Sequence, residues 1–134
     1  MDDLIKSILV EAKNVVIVGV SSNSEKDSYI VMKYLQERGI RVIPVNPQTT
    51  RTSILGEKVY KDLDEVDIDI DIVDIFRPSS EIFELVNKII NKKVKTVWLQ
   101  LDIFCTKSEK KLNQLGINFI QNKCTKIEYE KITR

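Results

Sequence analysis

With 134 residues, 21 basic side chains against 20 acidic ones and a net charge of +1, the chain has no global field of the kind that collects nucleic acid or an anionic membrane. Histidine is absent, which excludes imidazole acid–base work, Ser-His and Cys-His nucleophile pairs and His-ligated metals. The two cysteines, Cys105 and Cys124, stand apart and form no CxxC pair, so neither a disulfide framework nor a zinc site is expected and a reducing, cytoplasmic setting fits.

This length predicts one domain, 1–134, large enough to bury about two-thirds of the surface of its unfolded chain. Met1 to Val10 has acids at its start and helical apolar spacing, unlike a signal peptide, and no run approaches the ~20 apolar residues of a membrane span. A protein without membrane association is expected.

Leu4, Ile5, Ile8, Leu9 and Ala12 fall on one side of a helix, with Asp2 and Asp3 suited to its N-terminus. Val15 to Val20 is an apolar, β-branched run without polar alternation, the pattern of a central parallel strand covered on both faces. A polar loop follows, then a helix from Ser28 or Tyr29 to Arg38 with Gly39 as its left-handed stop. Ile40 to Val45 makes the second strand, closed by Asn46-Pro47. Gly56 to Tyr60 reads as a turn and short third strand, and Leu63 to Val66 as one helical turn.

The second half of Val66–Phe76 gives a fourth strand, and Pro78-Ser79 opens a helix with an apolar stripe at Ile82, Phe83, Val86, Ile89 and Ile90. Val94 to Leu101 is the fifth strand. Thr106 with Glu109 has the form of a capping box for a helix ending at Gly116. Ile117 to Gln121 is the sixth strand and Ile127 to Ile132 a closing helical turn. This alternation predicts an α/β protein: a three-layer, Rossmann-like, doubly wound and mostly parallel sheet in one domain, with strand order 3-2-1-4-5-6.

In such a sheet a ligand sits outside the carboxyl ends of the strands where strand order reverses, here between the first and fourth strands. After the first strand, Gly19 to Ser28 offers free backbone N–H groups for a phosphate, donors from Ser21, Ser22, Asn23 and Ser28, and the charge of Lys26. A full GxGxxG is missing, and a bland strand-to-helix connection is the competing reading. At the second exit Asn46-Pro47 replaces the acid that holds the ribose in NAD-binding units. The fourth exit, Phe76-Arg77-Pro78, joins a flat apolar face to a guanidinium fork, suited to a base and a phosphate. Arg77 equally suits a pairing with Asp74, and Trp98, ahead of Gln100 at the fifth exit, reads as core as readily as ligand contact.

Other groupings have plainer accounts. Asp67, Asp69 and Asp71 at period-2 spacing suggest a hard-metal cluster, with a solvated edge before a buried half-strand as the simpler reading. Cys124 reads as a semi-exposed thiol rather than a reactive one. Ser21 and Ser22 lack the GxSxG elbow of a hydrolase.

At these exits the chain resembles the small stand-alone CoA-binding proteins, which are similar to the CoA-binding domain at the start of the succinyl-CoA synthetase alpha subunit. The resemblance runs from Val15 to about Tyr129. It rests on Val18-Gly19-Val20-Ser21 with Ser28-Tyr29, Tyr34-Leu35, VIPVNP at Val42–Pro47, Gly56 with Tyr60, DIVDIFR at Asp71–Arg77, Trp98-Leu99-Gln100-Leu101, and Cys124 with Ile127-Glu128-Tyr129. It implies coenzyme A or an acyl-CoA as cofactor, with the pyrophosphate near Gly19–Ser28 and the adenosine end near Asn46-Pro47 and Phe76–Pro78.

The pattern departs from the family at Ser24, Lys26 and Asp27, where Pro, Arg and Pro are common, at Asp102, where Gly is usual, and at Asn122-Lys123, where Asp-Arg often stand. Lys26 keeps the charge of Arg without its bidentate geometry. The synthetase's catalytic histidine and second domain have no counterpart in this sequence.

The reading is therefore a CoA-binding module without catalytic machinery of its own, which senses, carries or presents the cofactor, with an acyl-CoA-using protein as its partner. The alternatives are a small NAD(P)-dependent oxidoreductase with Cys124 or Asp74 at the reacting end, and a ligand-free protein interaction subunit. An edge strand or the Leu4–Ala12 helix is the surface on which a homodimer would form.

Overall fold

Side-chain parity along Val15–Val18 explains the layering. In the computed structural model, which describes residues 2–133, Val15 and Ile17 join one apolar cluster while Val16 and Val18 join another, so this strand is covered on both faces. Met1 and Arg134, the ends of the expected domain, lie outside the described residues. The strand, β1 (Asn14–Val18), is flanked in parallel by β2 (Arg41–Val45) and β5 (Ile70–Ile75). A short hairpin, β3 (Ser53–Ile54) and β4 (Glu57–Lys58), intervenes in the chain; β6 (Val94–Leu99) and β7 (Asn118–Ile120) complete a five-stranded parallel sheet of order β2-β1-β5-β6-β7.

Five helices cover it: α1 (Asp2–Glu11), α2 (Asp27–Glu37), α3 (Ser79–Ile89), α4 (Thr106–Gln114) and α5 (Thr125–Ile132). Helices α1, α2 and α5 bring Leu9, Met32, Leu35 and Ile132 against Ile17, Ile72 and Trp98. On the opposite face α3 and α4 bring Ile82, Val86, Ile89 and Leu112 against Val73, Ile75, Val97 and Leu99. The chain thus crosses from one layer to the other between α2 and α3. Strand order reverses between β1 and β5, and the exits of those strands frame the crevice of a doubly wound sheet.

Two local expectations are corrected. The segment expected as a third sheet strand, Gly56–Tyr60, instead closes the β3–β4 hairpin; Val59 packs into the core, and Tyr60 joins the main sheet's ladder through its bridge to Val45. Leu55 (φ 51°) and Gly56 (φ 81°) both lie in the left-handed region, and such a two-residue turn folds the chain straight back on itself.

The expected capping box at Thr106 is also absent. Cys105 is the N-cap, with its backbone N–H held by Gln121 Oε1 at 3.0 Å and its thiol 3.2 Å from Ser108 Oγ. These anchors start the helix one residue earlier than the Thr106–Glu109 pattern requires. A complete capping box occurs instead at Asp62 and Glu65, where it launches the single 3₁₀ turn Leu63–Glu65.

Candidate functional site

The site begins with a close approach between two strand exits. Gly19 follows β1 with φ 88°, and its N–H donates to the Val45 carbonyl at 2.8 Å. A Cβ on it would stand 2.6 Å from the Phe76 carbonyl oxygen and 2.8 Å from Arg77 Cδ. Only glycine lets the β1 and β5 exits meet in this way.

From Gly19 to Lys26 the loop is built on its own polar groups. The buried Ser28 hydroxyl accepts from Ser21 N–H at 2.9 Å, Ser21 Oγ from Asn23 N–H at 3.0 Å, and Asn23 Oδ1 from Glu25 N–H at 2.9 Å. Asn46 braces it from β2, donating through Nδ2 to Val20 O at 2.8 Å and accepting from Gln48 N–H at 2.9 Å. Ser28 and Asn46 therefore shape the loop, whereas Ser22, Asn23 and Lys26 are exposed along it.

Two hollows adjoin the ridge where Gly19 meets Phe76 and Arg77. The larger, of about 500 Å³, is on the α2–α5 side and is lined by Phe76, Arg77, Pro78, Gln100, Leu101 and Cys124, with Ile30, Asp27, Lys126 and Ile127 at its edges. The smaller, of about 260 Å³, is on the α3 side and takes in Pro47, Lys61, Asp62, Arg77, Glu81 and Lys88. Arg77 lines both. Its guanidinium makes a two-pronged contact with Glu81, Nε at 3.1 Å and Nη2 at 2.7 Å, and so does not pair with Asp74.

The expected site residues thus divide. Phe76, Arg77, Pro78 and Gln100 are brought together in the larger hollow and Pro47 joins Arg77 in the smaller, whereas Gly19, Ser21, Ser22, Asn23, Lys26, Ser28 and Asn46 line neither. Tyr29 is not brought to either; it lines a separate groove with Ser24, Lys33, Tyr34 and Lys126. Trp98 is core, fully buried, with Nε1 donating to the Lys123 carbonyl at 2.7 Å. Asp102 is exposed in a left-handed turn (φ 67°), a backbone that suits the glycine expected there, and it lines neither hollow.

Sequence reasoning missed the polar floor of the larger hollow. Asp74, fully buried, accepts from Gln100 Nε2 and from Thr125 Oγ1 (2.9 Å), while Gln100 Nε2 also donates to Thr125 Oγ1 at 3.1 Å. Burial pushes the Asp74 carboxyl up to about 7, against the opposing pull of its two hydrogen bonds. One signal was readable: Asp74 shares the parity of Ile72 on its strand, which turns it towards α2 and α5. Thr125, on a helix remote in sequence, gave none.

Cys124, the N-cap of α5, is half-buried beside this floor. Burial raises its thiol above the usual range, opposed by the N–H groups of Ile127 and Lys126 and reinforced by Asp74 and Asp27. At the other end of β5, Asp71 accepts from Lys13 N–H at 2.8 Å and Asn14 N–H at 3.0 Å and pairs with Lys95 at 3.2 Å. No group of three or more metal-ligating side chains gathers among the described residues, and none of their helices is long and apolar enough to cross a membrane.

A family model described as a CoA binding domain matches residues 13–130, which include the lining of both hollows and the Gly19–Lys26 loop. The chain belongs to the CoA-binding-domain family. It is 31% identical over 125 residues to the uncharacterized protein YneT of Bacillus subtilis (strain 168), covering 93% of this chain and 91% of YneT. It is also 32% identical over 83 residues to the ADP-forming acetate–CoA ligase of Methanocaldococcus jannaschii; that match covers 62% of this chain and only 12% of the ligase. A solved Thermus thermophilus protein superposes with a TM-score of 0.93 at 29% identity, over 98% of each chain. The expected resemblance and the Rossmann-like α/β architecture are both borne out.

Proposed function

We propose that this member of the family binds coenzyme A across the ridge at the strand-order reversal and holds it for a partner protein that uses CoA or an acyl-CoA. The observation that carries the reading is the pair of hollows meeting at Arg77. Coenzyme A is a long molecule with a charged middle, and a site that opens to both sides of one cationic ridge suits it.

In this reading the adenosine end occupies the smaller hollow, where Pro47 supplies an apolar surface and the cations Lys61, Lys88 and Arg77, which stand among Asp62, Glu81 and Glu84, are the groups available to a phosphate. The diphosphate lies over the Gly19–Lys26 loop, within reach of Ser22, Asn23 and Lys26. The pantetheine arm descends past Phe76 into the larger hollow and brings its thiol towards Cys124.

Two features fit such a group. Gly19 keeps the ridge low where a side chain would fill the crossing, and the larger hollow has mainly apolar walls over a polar floor, suited to an uncharged amide-bearing arm. The buried, protonated state favoured for the Cys124 thiol suits a holding role more than a nucleophilic one.

The test is thermal unfolding with CoA, acetyl-CoA, NAD, NADP and ATP, each at millimolar concentration. A ligand present at 100 times its dissociation constant adds about 2.7 kcal/mol to the folded state, on the order of 5–10 °C in this size range. A rise with CoA species alone is expected. A rise with NAD or NADP alone would replace this reading with the oxidoreductase, and a flat panel would replace it with an interaction subunit.

A further inference from the structure

The hydrogen-bond inventory of the larger hollow's floor leaves one polar atom over. Gln100 is only 4% exposed. Both hydrogens of its Nε2 are directed inward, one to Asp74 and one to Thr125 Oγ1, and the Thr125 hydroxyl passes its own hydrogen to Asp74. Asp74, Thr125 and Nε2 thus close a triangle. Among the described residues no donor reaches Gln100 Oε1, yet none of their buried side-chain nitrogens or oxygens lacks a partner. The two facts agree only if Oε1 opens onto the cavity that Gln100 lines.

The orientation is enforced. An ionised carboxylate accepts only, so the amide must turn its NH₂ towards Asp74 and its carbonyl away. Thr125 then orders the remaining hydrogen. Around the exposed oxygen the walls include Phe76, Val31, Ile103 and Leu101; of the charged groups that also line the hollow, Asp27 and Lys126 belong to α2 and α5, and the Arg77 guanidinium is held by Glu81. A carbonyl oxygen in such surroundings selects an uncharged N–H donor.

Resting on the CoA reading above, we infer that Gln100 Oε1 accepts a hydrogen bond from an amide N–H of the ligand's pantetheine arm, and that Asp74 and Thr125 are positioning residues that hold it in that orientation. The site thereby distinguishes an arm carrying a secondary amide from one that cannot donate. Neither Asp74 nor Thr125 touches the ligand.

The experiment is calorimetric titration at pH 8, above the range in which Asp74 ionises, using four probes: CoA, two analogues each N-methylated at one pantetheine amide, and 3′-phospho-ADP, which lacks the arm. In the parent protein one analogue should bind about tenfold more weakly than CoA. In Gln100→Leu and Thr125→Val that difference should fall below about twofold while 3′-phospho-ADP binds all proteins alike, and Thr125→Ser should restore it.

Should a variant fail to fold, the comparison of analogues in the parent still decides. Equal binding of CoA and both analogues would overturn the assignment, as would a methylation penalty that survives in Gln100→Leu. Tight 3′-phospho-ADP binding with no gain from the arm would overturn it while sparing the nucleotide half of the CoA reading. Failure of the parent to bind either CoA or 3′-phospho-ADP would remove both.

Discussion

Asp71 and Asp74 share β5, yet their carboxyls are driven in opposite directions. At Asp71 burial acts to raise the pKa, but the N–H groups of Asn14 and Lys13 and the Lys95 ammonium outweigh it and hold the group below 3.8. At Asp74 burial wins and sets it at about 7. Linkage converts each into a pH dependence of stability. The raised Asp74 binds a proton more tightly when folded, so its contribution is complete below the unfolded value of 3.8 and is lost as pH rises through about 7. The depressed Asp71 behaves oppositely, its contribution being present above 3.8 and lost as pH falls through its folded value.

Urea denaturation of Asp74→Asn and the parent at several pH values between 4 and 8 checks the first sign. The variant should gain on the parent by on the order of a few kcal/mol across that window. Parallel curves would show that folded Asp74 is ionised throughout, without the raised value. Asp71→Asn should lose stability relative to the parent at pH 7 and recover towards it below pH 4.

Gly19→Ala should be costly for two separate reasons. The backbone at φ 88° disfavours any Cβ, and the new methyl would meet the Phe76 carbonyl at 2.6 Å, an atom of the main chain that cannot swing aside. A loss of about 1–3 kcal/mol is expected, read as a lower Tm, together with weaker CoA binding because the ridge is raised. Gly39→Ala, at φ 84° with open space around it, controls for the backbone effect alone; the difference between the two variants reports the crowding against Phe76.

Glu81 occupies the guanidinium that the proposed ligand phosphate would use. Glu81→Gln should release Arg77 and raise affinity for 3′-phospho-ADP several-fold, whereas Arg77→Ala should lower it by tenfold or more. The pair is solvent-exposed, so neither change should move stability by more than about 0.5 kcal/mol. Titrations of both variants at 50 and 200 mM salt measure this, and the Glu81→Gln gain should shrink at the higher salt. An Arg77→Ala variant that binds as the parent does would remove the guanidinium from the site.

Much of the fold was written locally. Val15–Val18 has no polar alternation because both its faces are covered, and the α3 stripe at Ile82, Val86 and Ile89 repeats at helical spacing because one face meets the sheet. Gly56 to Tyr60 was legible as a turn and a short strand, but not its partner: β4 pairs with β3, and only Tyr60 continues the segment into a parallel bridge with β2. That Phe76-Arg77 would stand beside a hollow at a strand exit was legible, since its position follows from topology alone. The floor of that hollow was not, because Asp74, Gln100 and Thr125 come from three elements and only packing joins them. That Tyr29 lines a groove apart from Phe76 and Arg77 was not legible, because its place beside Ser28 does not say which side of α2 it occupies.

The Tyr60 bridge has a consequence for how copies of this molecule meet. Tyr60 donates to the Pro44 carbonyl and accepts from Asn46 N–H, so on β2 it is Pro44, Asn46 and, by alternation, Val42 that turn their backbone groups away from β1. Proline has no hydrogen to offer there, and Tyr60 saturates what remains of Pro44 and Asn46, leaving Val42 as the one unpaired rung. The opposite margin, β7, is only three residues long. An open sheet of five parallel strands would ordinarily be a template for strand addition and fibril growth; here both margins are blunted, so concentrated solutions should resist cross-β aggregation even though the sheet never closes.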